Sequence, residues 1–373
     1  MTPARLRVRP GRSGPVVAVT GAASRAGIAV ITALVERVGT PGGPRRVVAV
    51  DADRGPVEGA TWRLAELADP SVVDCLAGAD VVVHVATPAD LAVELSGSAL
   101  ARRERAVRAA QAVATATAAV GARQLVGVTS AMVLGARPDN PVPLPDEHDL
   151  RAAMDDGQVG DLLEVEQVLG RAPLLRTGLD LALVRPAALV GPGTDTVVSR
   201  HFEAPRLLTV RGATGWWQFC HLEDLGSAVA LVVADRLTGS FTVASDGYLA
   251  EEEVERISGM RRLELPAALA FGTADRLHRV GVLPTPGSDL AFVVHPWVVG
   301  SQRLRAAGWQ PAHDNLDCLR GLLDDVAGRH AVAGRRLERR DAALGAAGAA
   351  VALLGTAAVL RQARSRHGRR SRP

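Results

Sequence analysis

The sequence predicts an α/β fold, a doubly wound parallel sheet with a smaller C-terminal lobe. Three observations predict it. Short apolar runs alternate with helical windows from residue 15 to about 187, the pattern of successive βαβ units. The first run, PVVAVT (15–20), passes straight into a glycine-containing turn that opens a helix. The core must also be built from small aliphatic side chains, because hydrophobic residues make up 47% of the 373 and aromatics only 3%. That composition suits a sheet covered by helices on both faces, and the length suits one large α/β unit plus a lobe.

Taken in order, 15–20 is the first strand and a helix follows through about Val38. TPGGPRR (40–46) is a loop, and VVAVD (47–51) is a second buried strand. A short helix falls near 71–77, then the strand VVVHVA (81–86). A long Ala-rich helix covers about 98–120, followed by the strands QLVGVTS (124–130) and LALVRPA (181–187). Beyond 187 the order loosens; FTVAS (241–245) reads as a strand and 314–327 as a helix. Apolar runs of this length between turn signals are the mark of buried strands.

The termini differ from the body. Residues 1–14 carry four Arg and no acid and read as a disordered basic arm; 361–373 is a basic tail with six Arg. Removing both from the net charge of +3 leaves residues 15–360 at −7. An acidic body argues against nucleic acid as a partner. The three cysteines, Cys75, Cys220 and Cys318, form no CxxC pair, so neither a disulfide framework nor a zinc motif is expected and a cytoplasmic setting fits. Residues 327–341 form a linker. The stretch 342–360, AALGAAGAAVALLGTAAVL, runs 19 residues without a charge. At about 1.5 Å per residue it nearly spans a hydrocarbon core of roughly 30 Å. A membrane anchor and an Ala-rich helix packed on the body or a partner both remain open.

The turn TGAASRAG (20–27) carries the first chemical signal. Gly21 allows a tight turn and Gly27 a close approach of helix to sheet. The helix start then presents free N–H groups to a pyrophosphate. Asp51 ends the second strand, where a carboxylate accepts hydrogen bonds from a ribose 2′-OH and repels a 2′-phosphate. This favours NAD over NADP, while Arg25 in the loop argues the other way. Ser24 crowds the phosphate approach with its Cβ, yet its hydroxyl can donate a hydrogen bond in return.

At this point the chain resembles the extended short-chain dehydrogenase/reductases, the NAD-dependent epimerase/dehydratase group. That family's loop is TGxxGxxG, and Ser24 stands here at its middle glycine. VVVHVA (81–86) is similar to the family's fourth strand, whose end, at Ala86, would lie beside the cofactor. TSAMVLG (129–135) resembles its SSxxVYG segment and LVRPAALVGPG (183–193) its RPxxxYGPG segment. WQFCHLEDLGSA (217–228) and LRAAGWQP (304–311) match later landmarks in order. The resemblance covers about 15–326 and implies a Rossmann-type domain, with a substrate lobe drawn mainly from 187–211 and 238–313. It also implies a bound dinucleotide and a small-molecule substrate, and is compatible with a homodimer.

The same resemblance exposes a gap. The family's reaction uses a tyrosine tuned by a nearby lysine, since a phenol near pKa 10 needs a close positive charge to exchange protons at neutral pH. Ser130 matches the family's substrate-orienting serine. On the helix QVGDLLEVEQ (158–167), in register with Glu166, Gln158 takes the tyrosine seat and Leu162 the lysine seat. No shift of register restores the pair, because Tyr248 is the only tyrosine and the chain has no lysine. Without partners, Ser130 reads as a strand-end hydrogen-bonding residue.

His84, His148, His201, His221, Asp155, Asp156, Asp161 and Glu164 are the remaining titratable candidates; His84, alone in an apolar run, reads as structural. His221 and Asp224 match positions that stabilise the second half of the fold, and Trp216 and Trp217 suit either a pocket wall or packing under a loop. The expectation is a dinucleotide-binding protein with silent or altered chemistry, a sensor or scaffold. An oxidoreductase or epimerase acting on a nucleotide-sugar or similar hydroxyl compound through a non-standard site stays open as the alternative.

Overall fold

The computed structural model describes residues 14–327 apart from 88, 92–96, 214 and 280–284, together with 331–332 and 335–336. Residues 342–360, open above between anchor and packed helix, lie outside the described residues, as do residues 1–13 of the arm 1–14 and the tail 361–373. Among the described residues no helix is long and apolar enough to cross a membrane.

The first half runs β1 (Val16–Thr20), α1 (Arg25–Glu36), β2 (Arg46–Asp51), β3 (Thr61–Leu64), α2 (Val72–Leu76), β4 (Val81–Val85), α3 (Ala99–Ala119) and β5 (Gln124–Val128). The second continues with α4 (Gln158–Gly170), α5 (Ala172–Leu175), β6 (Asp180–Pro186), β7 (Ala188–Val190), α6 (Val197–Phe202), β8 (Leu207–Val210), β9 (Trp216–Trp217) and β10 (Phe219–His221). Then come α7 (Leu222–Ala234), β11 (Gly239–Val243), β12 (Leu249–Ala250), α8 (Glu251–Ser258), β13 (Arg262–Leu265) and α9 (Ala267–Arg279). The last named elements are α10 (Ala291–Val294), α11 (Gln302–Ala306) and α12 (Asn315–Val326).

Seven parallel strands form one sheet in the order β11-β6-β5-β4-β1-β2-β3. This is the doubly wound Rossmann-type arrangement the periodicity predicts. Alternation within β1 shows why it is wound on both faces. Val17 and Val19 enter one core with Val30, Ile31 and Leu34 of α1. Val16 and Ala18 enter the other with Val72 of α2 and Val113 of α3. A period of two sends successive side chains to opposite faces, so a strand without polar positions needs helices on both.

The chain leaves β1 for β2 on one side and returns to β4 on the other, so the carboxyl ends of β1 and β4 flank a topological switch point, where open α/β sheets bind ligands. Helices α1 and α7 pack closely on one face: a Cβ at Gly226 would stand 2.6 Å from the Ala29 carbonyl oxygen. Outside this sheet the chain forms small pairings, β8 with β13, β9 with β12 and β7 with β10. β11 falls within the stretch assigned to the lobe but belongs to the main sheet. Its five residues pair in parallel with β6, Phe241 opposite Val184.

Candidate functional site

The turn between β1 and α1 lies at the switch point. Gly21 has φ +73°, and a Cβ there would meet the carbonyl oxygen of Val85, at the end of β4, at 2.4 Å. A Cβ on Gly27 would meet the Gly21 carbonyl at 2.1 Å. Both glycines are therefore required by the turn itself. Ser24 is the N-cap of α1: its Oγ accepts the Gly27 N–H at 3.0 Å and donates to the Gly21 carbonyl at 2.7 Å. Its hydroxyl closes the turn instead of pointing to a phosphate. The N–H groups of Arg25 and Ala26, first in the helix, have no intrahelical acceptor. The Arg25 guanidinium reaches across to the loop after β7, where a Cβ on Gly193 would stand 3.1 Å from its Cζ.

Asp51 is tied into this turn. Its Oδ2 accepts the Ala23 N–H at 2.8 Å and its Oδ1 the Ala52 N–H at 2.8 Å. Each carboxylate oxygen retains a lone pair for a further donor. Ala86, just past β4, donates its N–H to the Val128 carbonyl of β5 at 2.9 Å. His84 is held within β4 by a 2.9 Å contact between its Nδ1 and Thr20 Oγ1. Burial pushes its pKa down to about 4, so the imidazole is neutral and structural.

At the end of β5, Ser130 accepts the Met132 N–H at 3.2 Å and caps a short 3-10 turn (131–134). Its neighbour Thr129 donates to Glu166 Oε1 at 2.6 Å, and Arg185 of β6 grips both oxygens of Glu166 at 2.9 and 2.7 Å. That buried trio locks α4 in register on the sheet. Two turns before Glu166 on α4, Gln158 is half-buried, and one turn before it Leu162 is 4% exposed, packed in the apolar core. Asp161, also buried, pairs with Arg102 and Arg103 of α3, and Glu164 lies 3.4 Å from Arg103. The carboxylates of α4 are thus committed to salt bridges.

A second feature lies beside the start of α4. A cavity of about 290 Å³ is bordered by Gly135, Val159, Phe271, Asp289, Phe292 and His295. Asp289 is 2% exposed, and its Oδ2 has no hydrogen-bond partner among the described residues. Burial, then the nearby Asp155 carboxylate, push its pKa up to about 7. Its Oδ1 stands 3.2 Å from where a Cβ on Gly157 would sit, one residue before Gln158. Asp155 is satisfied by the Gly157 N–H at 2.9 Å and the Ser288 hydroxyl, and the Asp156 carbonyl accepts from Arg102. A buried carboxyl poised near neutrality in a partly apolar cavity is suited to give up or take a proton.

The lobe also holds a cleft of about 500 Å³ beside Thr209, Trp216, Glu251 and Arg262. The two tryptophans divide the roles expected of them. Trp216 lines the cleft and stacks edge-on against Tyr248, 4.5 Å between centroids. Trp217 is buried against Phe202 and His201. The His201 Nε2 has no partner among the described residues, and burial lowers its pKa to about 4. His148 likewise has an unpartnered Nε2. Asp224 accepts the N–H groups of Ala312 and His313 at 2.7 and 3.2 Å, the stabilising role expected of it. Asp289 carried no signal in the sequence. It is a lone acid in a stretch with no clear period, and only packing of the lobe against α4 gives it its surroundings.

No family model matches the chain. Uncharacterised proteins of Mycobacterium tuberculosis and Mycobacterium bovis are each 26% identical to it over 279 residues, covering 71% of this chain and 73% of theirs. Among solved structures, the UDP-glucose 4-epimerase of Thermus thermophilus in complex with NAD aligns with a TM-score of 0.61 at 18% identity, over 84% of this chain and 99% of that one. The dTDP-glucose 4,6-dehydratase of Streptomyces venezuelae, a double mutant with NAD bound, gives 0.62 at 17% identity, over 84% and 97%. The UDP-glucose 4-epimerase of Thermotoga maritima with UDP-glucose gives 0.60 at 16%, over 84% and 98%. At these identities what is shared is the fold.

Proposed function

We propose that this chain, which has the fold of the extended short-chain dehydrogenase/reductases, binds NAD(H) in preference to NADP(H) at the turn between β1 and α1, without the tyrosine–lysine chemistry usual on that fold. The observation that carries this reading is the Asp51 carboxylate, fixed to the Ala23 amide at the end of β2 beside a helix start with free N–H groups. An anion there accepts from adenosine ribose hydroxyls and repels a 2′-phosphate. Gly21, Gly27, Ser24, Arg25 and Ala86 complete the cradle. Two of the solved neighbours hold NAD on the same fold, which supports the assignment. With Gln158 and Leu162 in the proton-transfer seats, the bound dinucleotide serves as a signal or a structural element, and the chain acts as a cofactor-binding sensor or scaffold. Calorimetric titration of the full chain tests this. NAD(H) should bind at least tenfold more tightly than NADP(H), and Asp51→Ala should weaken NAD(H) about tenfold. Absence of binding by either dinucleotide would remove the reading.

The Asp289 cavity favours a second reading, an oxidoreductase or epimerase with a non-standard site acting on a nucleotide-sugar or similar hydroxyl or carbonyl compound. Here Asp289 exchanges the proton that a tyrosine would carry. The assay is NAD-linked turnover over a panel of sugar nucleotides. A rate that Asp289→Asn lowers at least a hundredfold while NAD binding persists supports an enzyme; no turnover by the wild type supports the silent reading.

A further inference from the structure

We propose that His221, Glu223 and His313 form a binding site for one divalent cation of the zinc class, which clamps the segment before α12 onto the start of α7. The three side chains lie on two segments about 90 residues apart, and their donor atoms all fall within 4.8 Å of one another. None of them takes part in the dinucleotide site.

The spacing fits a metal. His313 Nε2 lies 2.9 Å from Glu223 Oε2. Zinc–nitrogen and zinc–oxygen distances of about 2.0–2.2 Å put two tetrahedral ligands roughly 3.3 Å apart. An ion between these two groups therefore needs a shift of a few tenths of an ångström, and the His221 nitrogen, within 4.8 Å of both, closes by about 1.5 Å or less to reach the same ligand spacing. The His221 ring lies against that of His313, 3.8 Å between centroids and tilted by 35°. His221 Nδ1 accepts only a long hydrogen bond, 3.3 Å, from the Glu223 N–H. That lone pair caps the first turn of α7, and a bond this long is one an ion can displace.

The chemistry fits as well. Two imidazoles and one carboxylate are the donors of a three-ligand zinc site with a fourth position open to water. Imidazole ligation selects this class over magnesium and calcium, which take oxygen ligands. Solvent reaches the cluster, since the Glu223 side chain is 75% and that of His313 30% exposed. The start of α7 is the positive end of a helix dipole and disfavours a cation. The Glu223 and Asp224 carboxylates in its first turn oppose that field. Asp224, 1% exposed, also fixes the loop carrying His313 through the two backbone bonds described above. The cation's role is then to tie two distant segments together.

The test uses the full chain, stripped with EDTA, with ZnCl2 and MgCl2 as probes. Isothermal titration should give one zinc per chain, and the melting temperature should rise by several degrees with ZnCl2 and not with MgCl2. His313→Gln and Glu223→Gln should each weaken zinc at least tenfold and abolish the thermal shift, while His278→Gln on α9 keeps both. Glu223→Gln alters an exposed side chain, and circular dichroism establishes that each variant is folded. Zinc binding that is absent from the wild type, or equal in wild type and both variants, would overturn the proposal.

Discussion

At pH 5 the Asp289 carboxyl and the His84 and His201 imidazoles are all neutral inside the fold, and each becomes a liability on one side of that value. The Asp289 pKa is raised from 3.8 to about 7. Its contribution to stability is therefore complete below about pH 4 and is lost as pH rises through about 7. The two histidines are lowered from 6.5 to about 4. Theirs is complete above 6.5 and is lost as pH falls through about 4. Between 4 and 7 the slopes oppose. Asp289→Asn removes the alkaline one, so the variant should gain stability over the wild type between pH 4 and 8, by a few kcal/mol at about 1.4 kcal/mol per pK unit. Calorimetric melting at pH 4, 6 and 8 checks this; parallel curves would mean that Asp289 ionises normally. At this scale the sequence was informative about absences. With no lysine in the chain and Tyr248 its one tyrosine, no tyrosine–lysine pair can form in it. It gave no sign of Asp289, whose surroundings come from α4 and the lobe rather than from its chain neighbours.

Among elements, the buried strands and long helices follow from period. β1, β2, β4, β5 and β6 are apolar runs, and α3 fills the Ala-rich window. β3 was not foreseen, because TWRL is a half-exposed edge strand without an apolar run. The parallel pair β8–β13 is not legible in the sequence, because its partners are more than 50 residues apart and β13 is largely exposed. Packing of α1 on α7 depends on small residues at one crossing. Gly226→Leu would drive a Cβ to within 2.6 Å of the Ala29 carbonyl and 2.9 Å of the Ala33 Cβ. Backbone cannot yield as a side-chain tip does, so the variant should lose about 1–3 kcal/mol or more. A lowered urea midpoint checks this, and an unchanged one would show that the two helices part without penalty.

For the whole molecule, the sequence by itself determined the doubly wound sheet and placed the glycine turn and Asp51 at strand ends. It also contains no lysine. These properties rest on residues close along the chain: periods of two and 3.6, a turn that only glycine fits, a residue type that is missing. Only the packed molecule brings Glu166 between Thr129 and Arg185 and sets Asp289 beside Gly157. It also decided that His313 meets His221 and Glu223. Each of the last three meetings joins residues from about 20 to over 130 positions apart. They depend on how finished elements pack, and no local period encodes that.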